Sequence, residues 1–275
     1  MPPTQLLAFG CGYVATALAR RLADKGVATL GTTRTTEGAA KLAQQGVSAI
    51  LWPGADLDPP PDAAWLISVP PDEHGCPVFR AVGAKAGTAA WIGYLSTTGV
   101  YGDLGGRWAF EETPRNPQSP EAVNRARAEG QWHSAHIFRL PGIYGPGRSQ
   151  LDRVRAPDAR RIVKLGQVFS RAHRDDIAAA LELSIARPRP GAIYNICDDE
   201  PAPADEVLAY AAKLLGVEPP PAVDIESADL TPAARRFYAE CKRVSNAQVK
   251  AELGWRPIYP TYREGLAACL VAAAR

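Results

Sequence analysis

The apolar run Gln5-Leu6-Leu7-Ala8-Phe9 passes directly into Gly10-Cys11-Gly12-Tyr13-Val14-Ala15, and an amphipathic stretch continues to Lys25. A short strand that turns on glycine into a helix opens a βαβ unit, and it commits the chain to a parallel sheet covered by helices. Each small residue of that turn has a task. Gly10 permits the tight bend, Gly12 lets a pyrophosphate approach the backbone, and Ala15 lets helix and strand pack closely, while amides at the helix start point at phosphate. The GxGxxA spacing is weak alone, because any strand-to-helix turn can need glycine. Its place after the first strand and before a full β/α alternation makes Gly10, Cys11, Gly12, Tyr13 and Val14 candidate contacts for a dinucleotide.

That alternation is regular through the first half. Strands are predicted at Gln5 to Phe9, Val27 to Gly31, Val47 to Trp52, Ala64 to Val69, Trp91 to Ser96 and His136 to Leu140. Helices are predicted over Tyr13 to Lys25, Thr36 to Gln45, Cys76 to Ala86 and Pro120 to Ser134, and the proline-rich stretch Asp56 to Asp62 reads as a loop. After Tyr144-Gly145-Pro146-Gly147 the chain becomes more basic and its connections longer. The expected α/β architecture is therefore a doubly wound Rossmann domain over residues 1–147 and a smaller mixed lobe over 148–275, with a strand near 191–197 returning to the first. In the lobe, Tyr194 to Cys197 reads as a strand. Helices are predicted at Ala204 to Leu215, ended by Gly216, at Asn246 to Leu253, ended by Gly254, and at Tyr262 to Ala274.

With 275 residues, 46% hydrophobic and 22% charged, the chain can bury a full core without covalent staples. A net charge of +2 is too small to argue for nucleic acid or an anionic membrane as partner. Met1-Pro2-Pro3-Thr4-Gln5 carries no cation and the apolar run after it breaks at Gly10, which speaks against a signal peptide or anchor. No window approaches the ~20 apolar residues of a spanning helix. Cys11, Cys76, Cys197, Cys241 and Cys269 lie far apart, so a reduced, cytoplasmic setting is expected. His74, His133, His136 and His173 are scattered without metal-ligand spacing, and no metal is expected.

The end of the second strand speaks to nucleotide choice. An acid there would hold the adenosine ribose and repel a 2′-phosphate. The chain reads Leu30-Gly31-Thr32-Thr33-Arg34, with Gly31 at the place of the acid, followed by hydroxyls and a guanidinium. Thr33 and Arg34 suit a phosphate, which favours NADP over NAD, although an outward-turned Arg34 would serve only as a solvated loop residue.

Tyr94-Leu95-Ser96-Thr97-Thr98-Gly99-Val100-Tyr101-Gly102-Asp103 and Asn116-Pro117-Gln118-Ser119-Pro120, followed by Glu121 to Arg125, carry a resemblance. They resemble the extended and atypical short-chain dehydrogenase/reductases, the NAD(P)-dependent epimerase/dehydratase family. Arg139 to Gly147, His173-Arg174-Asp175-Asp176-Ile177, Asp198 to Pro201 and Lys242 to Trp255 extend the likeness over nearly the whole chain. The family's pattern has Tyr-x-x-x-Lys on this helix, with tyrosine as acid/base, lysine on the nicotinamide ribose and a Ser/Thr orienting the substrate oxygen. Here Glu121 and Arg125 stand at the tyrosine and lysine positions. The resemblance makes Thr97, Glu121 and Arg125 the candidate catalytic residues and puts Ser96 on the cofactor side.

Each of these has a plainer reading. Thr97 can satisfy backbone at a strand end. Ser119 as N-cap, Pro120 in the first helical position and an acid in the first turn explain Glu121 without chemistry. As a carboxylate of ordinary pKa ~4.3, Glu121 would be a base but a poor acid. Arg125 can grip a ribose or phosphate but cannot relay a proton. Tyr144/Arg148, Tyr238/Lys242 and Tyr259/Arg263 also fit the Tyr-x-x-x-basic spacing, which chance alone can supply among nine tyrosines. Tyr238/Lys242 lies in the lobe, off the expected helix, and is set aside.

Between Arg148 and Arg174 stand eight basic residues against acids only at Asp152 and Asp158. The family likeness turns this region toward substrate, so Arg148 and Arg174 are candidate substrate-binding residues for an anionic or sugar-nucleotide-like small molecule; a solvated basic face is the alternative. Asp175 and Asp176 read as an N-cap and a first-turn charge. Two functions remain open: an NADP-binding oxidoreductase of the epimerase/dehydratase group, or a non-catalytic NADP-binding sensor or scaffold. A homodimer is the assembly considered.

Overall fold

A computed structural model describes residues 3–54 and 56–274; Met1 and Pro2 of the N-terminal stretch read above lie outside the described residues, as do Ala55 and Arg275. Numbered along the chain, the main sheet is built from β1 (Gln5–Phe9), β2 (Ala28–Thr33), β3 (Ser48–Leu51), β4 (Ala64–Ile67), β5 (Trp91–Thr97), β7 (His136–Leu140) and β11 (Ile193–Asn195). The short strands are β6 (Trp108–Ala109), β8 (Gly142–Tyr144), β9 (Arg161–Val163), β10 (Arg171–His173), β12 (Ala222–Asp224) and β13 (Arg243–Val244). The helices are α1 (Tyr13–Ala23), α2 (Thr36–Ala43), α3 (Pro77–Val82), α4 (Pro120–Gln131), α5 (Gln150–Val154), α6 (Arg174–Ala186), α7 (Ala204–Leu215), α8 (Pro232–Phe237), α9 (Ala247–Leu253) and α10 (Tyr262–Ala273).

The main sheet is parallel throughout, in the order β11-β7-β5-β4-β1-β2-β3. Alternation along β1 divides the core. Leu6 and Ala8 pack with α1 and α6 on one face, whereas Leu7 and Phe9 pack with α3 and α4 on the other. Burial on both faces explains why these strands read as continuous apolar runs. A third cluster, with Leu151, Val207, Tyr262 and Leu266, forms the core of the lobe between α5, α7 and α10.

Residues beyond 147 contribute to both bodies. β11 pairs with β7, α6 lies on α1, and α9 lies on α6, so this part of the chain completes the Rossmann layers. What remains, including β8 to β10, α5, α7, α8 and α10, overhangs the carboxyl edge of the sheet. Several predicted ends shift: α1 stops at Ala23, α2 at Ala43, β4 at Ile67 and α4 at Gln131, each short of its expected limit, and the strand expected over Tyr194 to Cys197 runs from Ile193 to Asn195. β2 continues to Thr33 because Thr32 and Thr33 pair with Ile50 and Leu51. The helix from Pro77 gives way at Gly83 to a 3-10 turn over Gly83–Thr88. Among the described residues no helix is long and apolar enough to cross a membrane.

Candidate functional site

The glycine turn is braced by the neighbouring strand. Gly10 has φ +76°, and a Cβ there would stand 3.1 Å from Val69 Cγ2 and 3.2 Å from Val69 N, so both conformation and space require glycine. The Gly10 N–H donates to Thr32 Oγ1 at 2.7 Å and the Cys11 N–H to Thr32 O at 2.9 Å. Gly12 is the N-cap of α1 and makes no side-chain cap; a Cβ on it would meet only Gly10 O, at 3.9 Å. The backbone at the positive end of α1 is thus left open for an anionic ligand to approach. Cys11 is buried beneath the turn, and burial pushes its thiol up to about 11.

Gly31 is not the residue that faces this opening. A Cβ there would lie 2.6 Å from the Cβ of Cys11, inside the sheet-helix packing. An acid at Gly31 would have no room, and the strand end that the sequence placed at Gly31 falls at Thr33, followed by the exposed Arg34. Among the described residues neither position carries an acid.

A cavity of about 860 Å³ lies between the sheet edge and the lobe, and none of its lining residues belongs to the glycine turn. Its walls include Thr97, Glu121 and Arg125 from the Rossmann side and Arg171, Tyr238 and Lys242 from the lobe side. Thr97 ends β5, and its Oγ1 accepts the Gly99 N–H at 3.1 Å, which leaves the hydroxyl proton to donate. Ser96 points the other way, as strand alternation requires, and its buried hydroxyl donates to Glu129 Oε1 at 2.5 Å.

On α4, Ser119 Oγ accepts the Ala122 N–H at 3.1 Å and Pro120 takes the first helical position. Glu121 follows with its side chain 72% exposed, 3.6 Å from Arg236 of α8. A hydrogen bond from its own backbone amide, aided by Arg236 and Ser119, holds its carboxyl below the ordinary value, so it is ionised at neutral pH. Arg125 Nη1 donates to Leu95 O at 2.7 Å and stands over the Tyr94 ring.

No family model matches the chain. Protein YeeZ of Escherichia coli K12 is 30% identical over 236 residues, which cover 77% of this chain and 84% of that protein. A solved structure of a conserved protein of unknown function from Silicibacter pomeroyi is 48% identical, with TM-score 0.93 over 98% of each chain. A second, described as an NAD-dependent epimerase/dehydratase from Methylobacillus flagellatus, is 27% identical, with TM-score 0.76 over 100% of each chain. The chain belongs to the NAD-dependent epimerase/dehydratase family.

In this member of the family the two arginines read as substrate contacts sit beside the dinucleotide turn. Arg174 and Arg148 lie over the Tyr13 ring at 4.6 and 5.8 Å, and the Tyr13 hydroxyl donates to Pro146 O at 3.0 Å. Neither arginine is among the cavity walls, whereas Arg153, Arg160, Arg161 and Arg171 of the same basic stretch are. The helix start after β10 also differs from expectation. His173 is the N-cap of α6, its Nδ1 accepting the Asp175 N–H at 3.2 Å, because burial pushes the imidazole down to about 4 and keeps it neutral. Asp175 is therefore a first-turn residue, and Asp176 is buried and accepts the Ile258 N–H.

Tyr238 and Lys242, set aside for their place in the lobe, both line the cavity of this epimerase/dehydratase-family protein. Lys242 Nζ donates to Gly102 O at 2.7 Å and pairs with Glu240 at 2.5 Å, fastening the segment after α8 to the Rossmann side. β13 pairs with β6 in the same seam. Sequence reasoning also missed Thr32 and Arg171. Thr32 was legible only as a hydroxyl beside a strand end, and Arg171 only as one of many arginines.

Proposed function

We propose that the protein binds NADP(H) at the Gly10–Val14 turn and acts as an oxidoreductase on an anionic small molecule held in the adjoining cavity. One observation carries the reading. The open backbone at Gly12, the acid-free strand end at Thr33 and Arg34, and Thr97 all stand at the carboxyl ends of β1, β2 and β5, along one edge of the sheet, and Thr97 also lines the cavity. The similarity to a structure described as NAD-dependent supports a nicotinamide cofactor.

Gly10, Cys11, Gly12, Tyr13 and Val14 would hold the pyrophosphate, and Thr33 with Arg34 the adenosine 2′-phosphate. When bound, the nicotinamide gives or takes a hydride. Thr97 donates its hydroxyl proton to a substrate oxygen, since its lone pair already serves Gly99. Arg125, fixed by Leu95 O, keeps a permanent charge at the cavity edge. Glu121, being ionised, can accept a proton but not supply one. Tyr238 is the donor we assign, because its phenol lines the same cavity and is protonated at neutral pH, although burial, by raising it, makes it a weaker acid than a free tyrosine.

A sensor or scaffold remains the second reading, favoured by the commitment of Glu121 to Arg236 and of Arg125 to Leu95 O. Calorimetric titration with NADPH and NADH, followed by assays of NADPH oxidation across carbonyl compounds, decides between them. Tighter NADPH binding with turnover supports the oxidoreductase. Tight binding without turnover on any carbonyl supports the sensor, and no binding of either nucleotide overturns both.

A further inference from the structure

Among the described residues, the cavity wall holds one buried guanidinium that makes no ion pair. Arg171 on β10 is only 6% exposed and lines the cavity. Its Nη1 donates to Phe169 O at 2.8 Å and Ala202 O at 3.0 Å, both uncharged acceptors. Among the described residues it forms no ion pair and its other nitrogens make no hydrogen bond to protein. Lys242, Arg153 and Arg236 on the cavity wall are matched by Glu240 at 2.5 Å, Asp158 at 3.2 Å and Glu121 at 3.6 Å, whereas Arg125, Arg160 and Arg161 form no ion pair among the described residues but are more open to solvent than Arg171. The carboxyl that bears most on Arg171 is Asp198, which burial pushes up to about 8, so at neutral pH it is largely protonated. A guanidinium this buried and unpaired is costly, and an incoming anion relieves that cost.

The wall beside it is apolar and aromatic. Phe169 and Phe237 stack face to face at 4.3 Å, and Tyr238 meets Phe169 edge-on at 5.5 Å. Val168, Leu208 and Val244 continue the surface. One guanidinium edge matches one carboxylate, and the aromatic surface beside it matches a planar apolar body. A sugar would find little to hydrogen-bond on this wall.

We propose that the cavity takes a small carboxylic acid with a planar apolar body, its carboxylate seated on Arg171 and its body against Phe169 and Phe237. This rests on the reading of the cavity as the substrate site. The probes are benzoate, cinnamate and phenylpyruvate, with cinnamamide as neutral match and UDP and inorganic phosphate as phosphate controls. They are titrated calorimetrically into the full chain with and without NADPH. At least one carboxylate should bind, cinnamate at least ~10-fold tighter than its amide, and Arg171→Gln should remove that advantage while NADPH affinity is unchanged. Arg171→Lys, which keeps a cation, should retain part of it. If Arg171→Gln does not fold, the acid-to-amide comparison on the unmodified protein and the Lys variant decide. Silence of all three carboxylates, equal binding of acid and amide, or preference for UDP or phosphate overturns the proposal. NADPH binding is read separately in the same titrations, so its failure would count against the proposed function and not against the carboxylate site.

Discussion

Arg139 and Glu129 face each other through two parallel hydrogen bonds, Nε to Oε1 at 3.1 Å and Nη2 to Oε2 at 2.9 Å, each side chain 3% exposed. Ser96 adds its hydroxyl to Oε1, and Arg139 Nη1 donates to Tyr101 Oη and Glu111 O, both at 3.0 Å. Tyr101 in turn donates to Asn195 Oδ1 at 2.8 Å. One buried network thus binds β5, α4, β7 and β11. Glu129→Ala should cost ~3–5 kcal/mol, because it strands a buried guanidinium. Urea unfolding measures this, and Glu129→Ala/Arg139→Leu should lose less than the two single changes together.

Nucleotide choice should follow Thr33 and Arg34 and not Gly31. Arg34→Ala should narrow an NADPH-over-NADH preference by ~1–3 kcal/mol through loss of a charge-assisted contact. Thr33→Asp should reverse the preference by repelling the 2′-phosphate. Gly31→Asp should instead destabilise the fold, because its Cβ would stand 2.6 Å from Cys11 Cβ. Calorimetric affinities beside melting curves separate the three.

Catalysis should tolerate loss of the Glu121 carboxylate. Glu121→Ala is expected to leave turnover little changed, while Tyr238→Phe should lower it by ~10²- to 10⁴-fold if that phenol delivers the proton. Steady-state rates of NADPH oxidation measure both. A large loss in Glu121→Ala with cofactor affinity intact would assign the proton transfer to Glu121.

Stability should fall on the alkaline side of neutrality. Burial pushes Asp176 up to about 7 and Asp198 up to about 8. From the ordinary carboxylate range up to those values the folded protein keeps protons that the unfolded chain has released, so stability falls as pH rises. His173, pushed from 6.5 down to about 4, acts oppositely between those two values, since there the unfolded chain binds the extra proton. Above 6.5 only the aspartates of this set still act. Unfolding free energy should therefore decline toward pH 8, by at most ~1.4 kcal/mol per pH unit for each group. Asp198→Asn should flatten that slope.

The sequence makes local features readable and hides those assembled from afar. β1 and β7 match their predicted limits, because Gly10 and Pro141 stop them abruptly. β2 outran its prediction because Thr32 and Thr33 resemble loop residues until β3 is there to pair with them. The dinucleotide turn was legible since its parts are consecutive. Arg171, Tyr238 and Lys242 were not, because nothing in their own segments says that these walls meet Thr97. The sequence separates Thr97 from Ser96 by resemblance, but it does not show that the Ser96 hydroxyl is spent inside on Glu129.

The clasp between Lys242 and Gly102 joins positions 140 residues apart. The glycine turn, by contrast, closes with Thr32, 22 residues from Gly10. Distant contacts repay their loop-closure entropy only after nearer ones have formed, which implies an order of assembly during folding. By that order we expect the nucleotide cradle to form before the wall bearing Tyr238 and Lys242. A newly made chain could therefore load its dinucleotide before its selective chamber exists, and bound nucleotide would then act as a template on which the final wall settles.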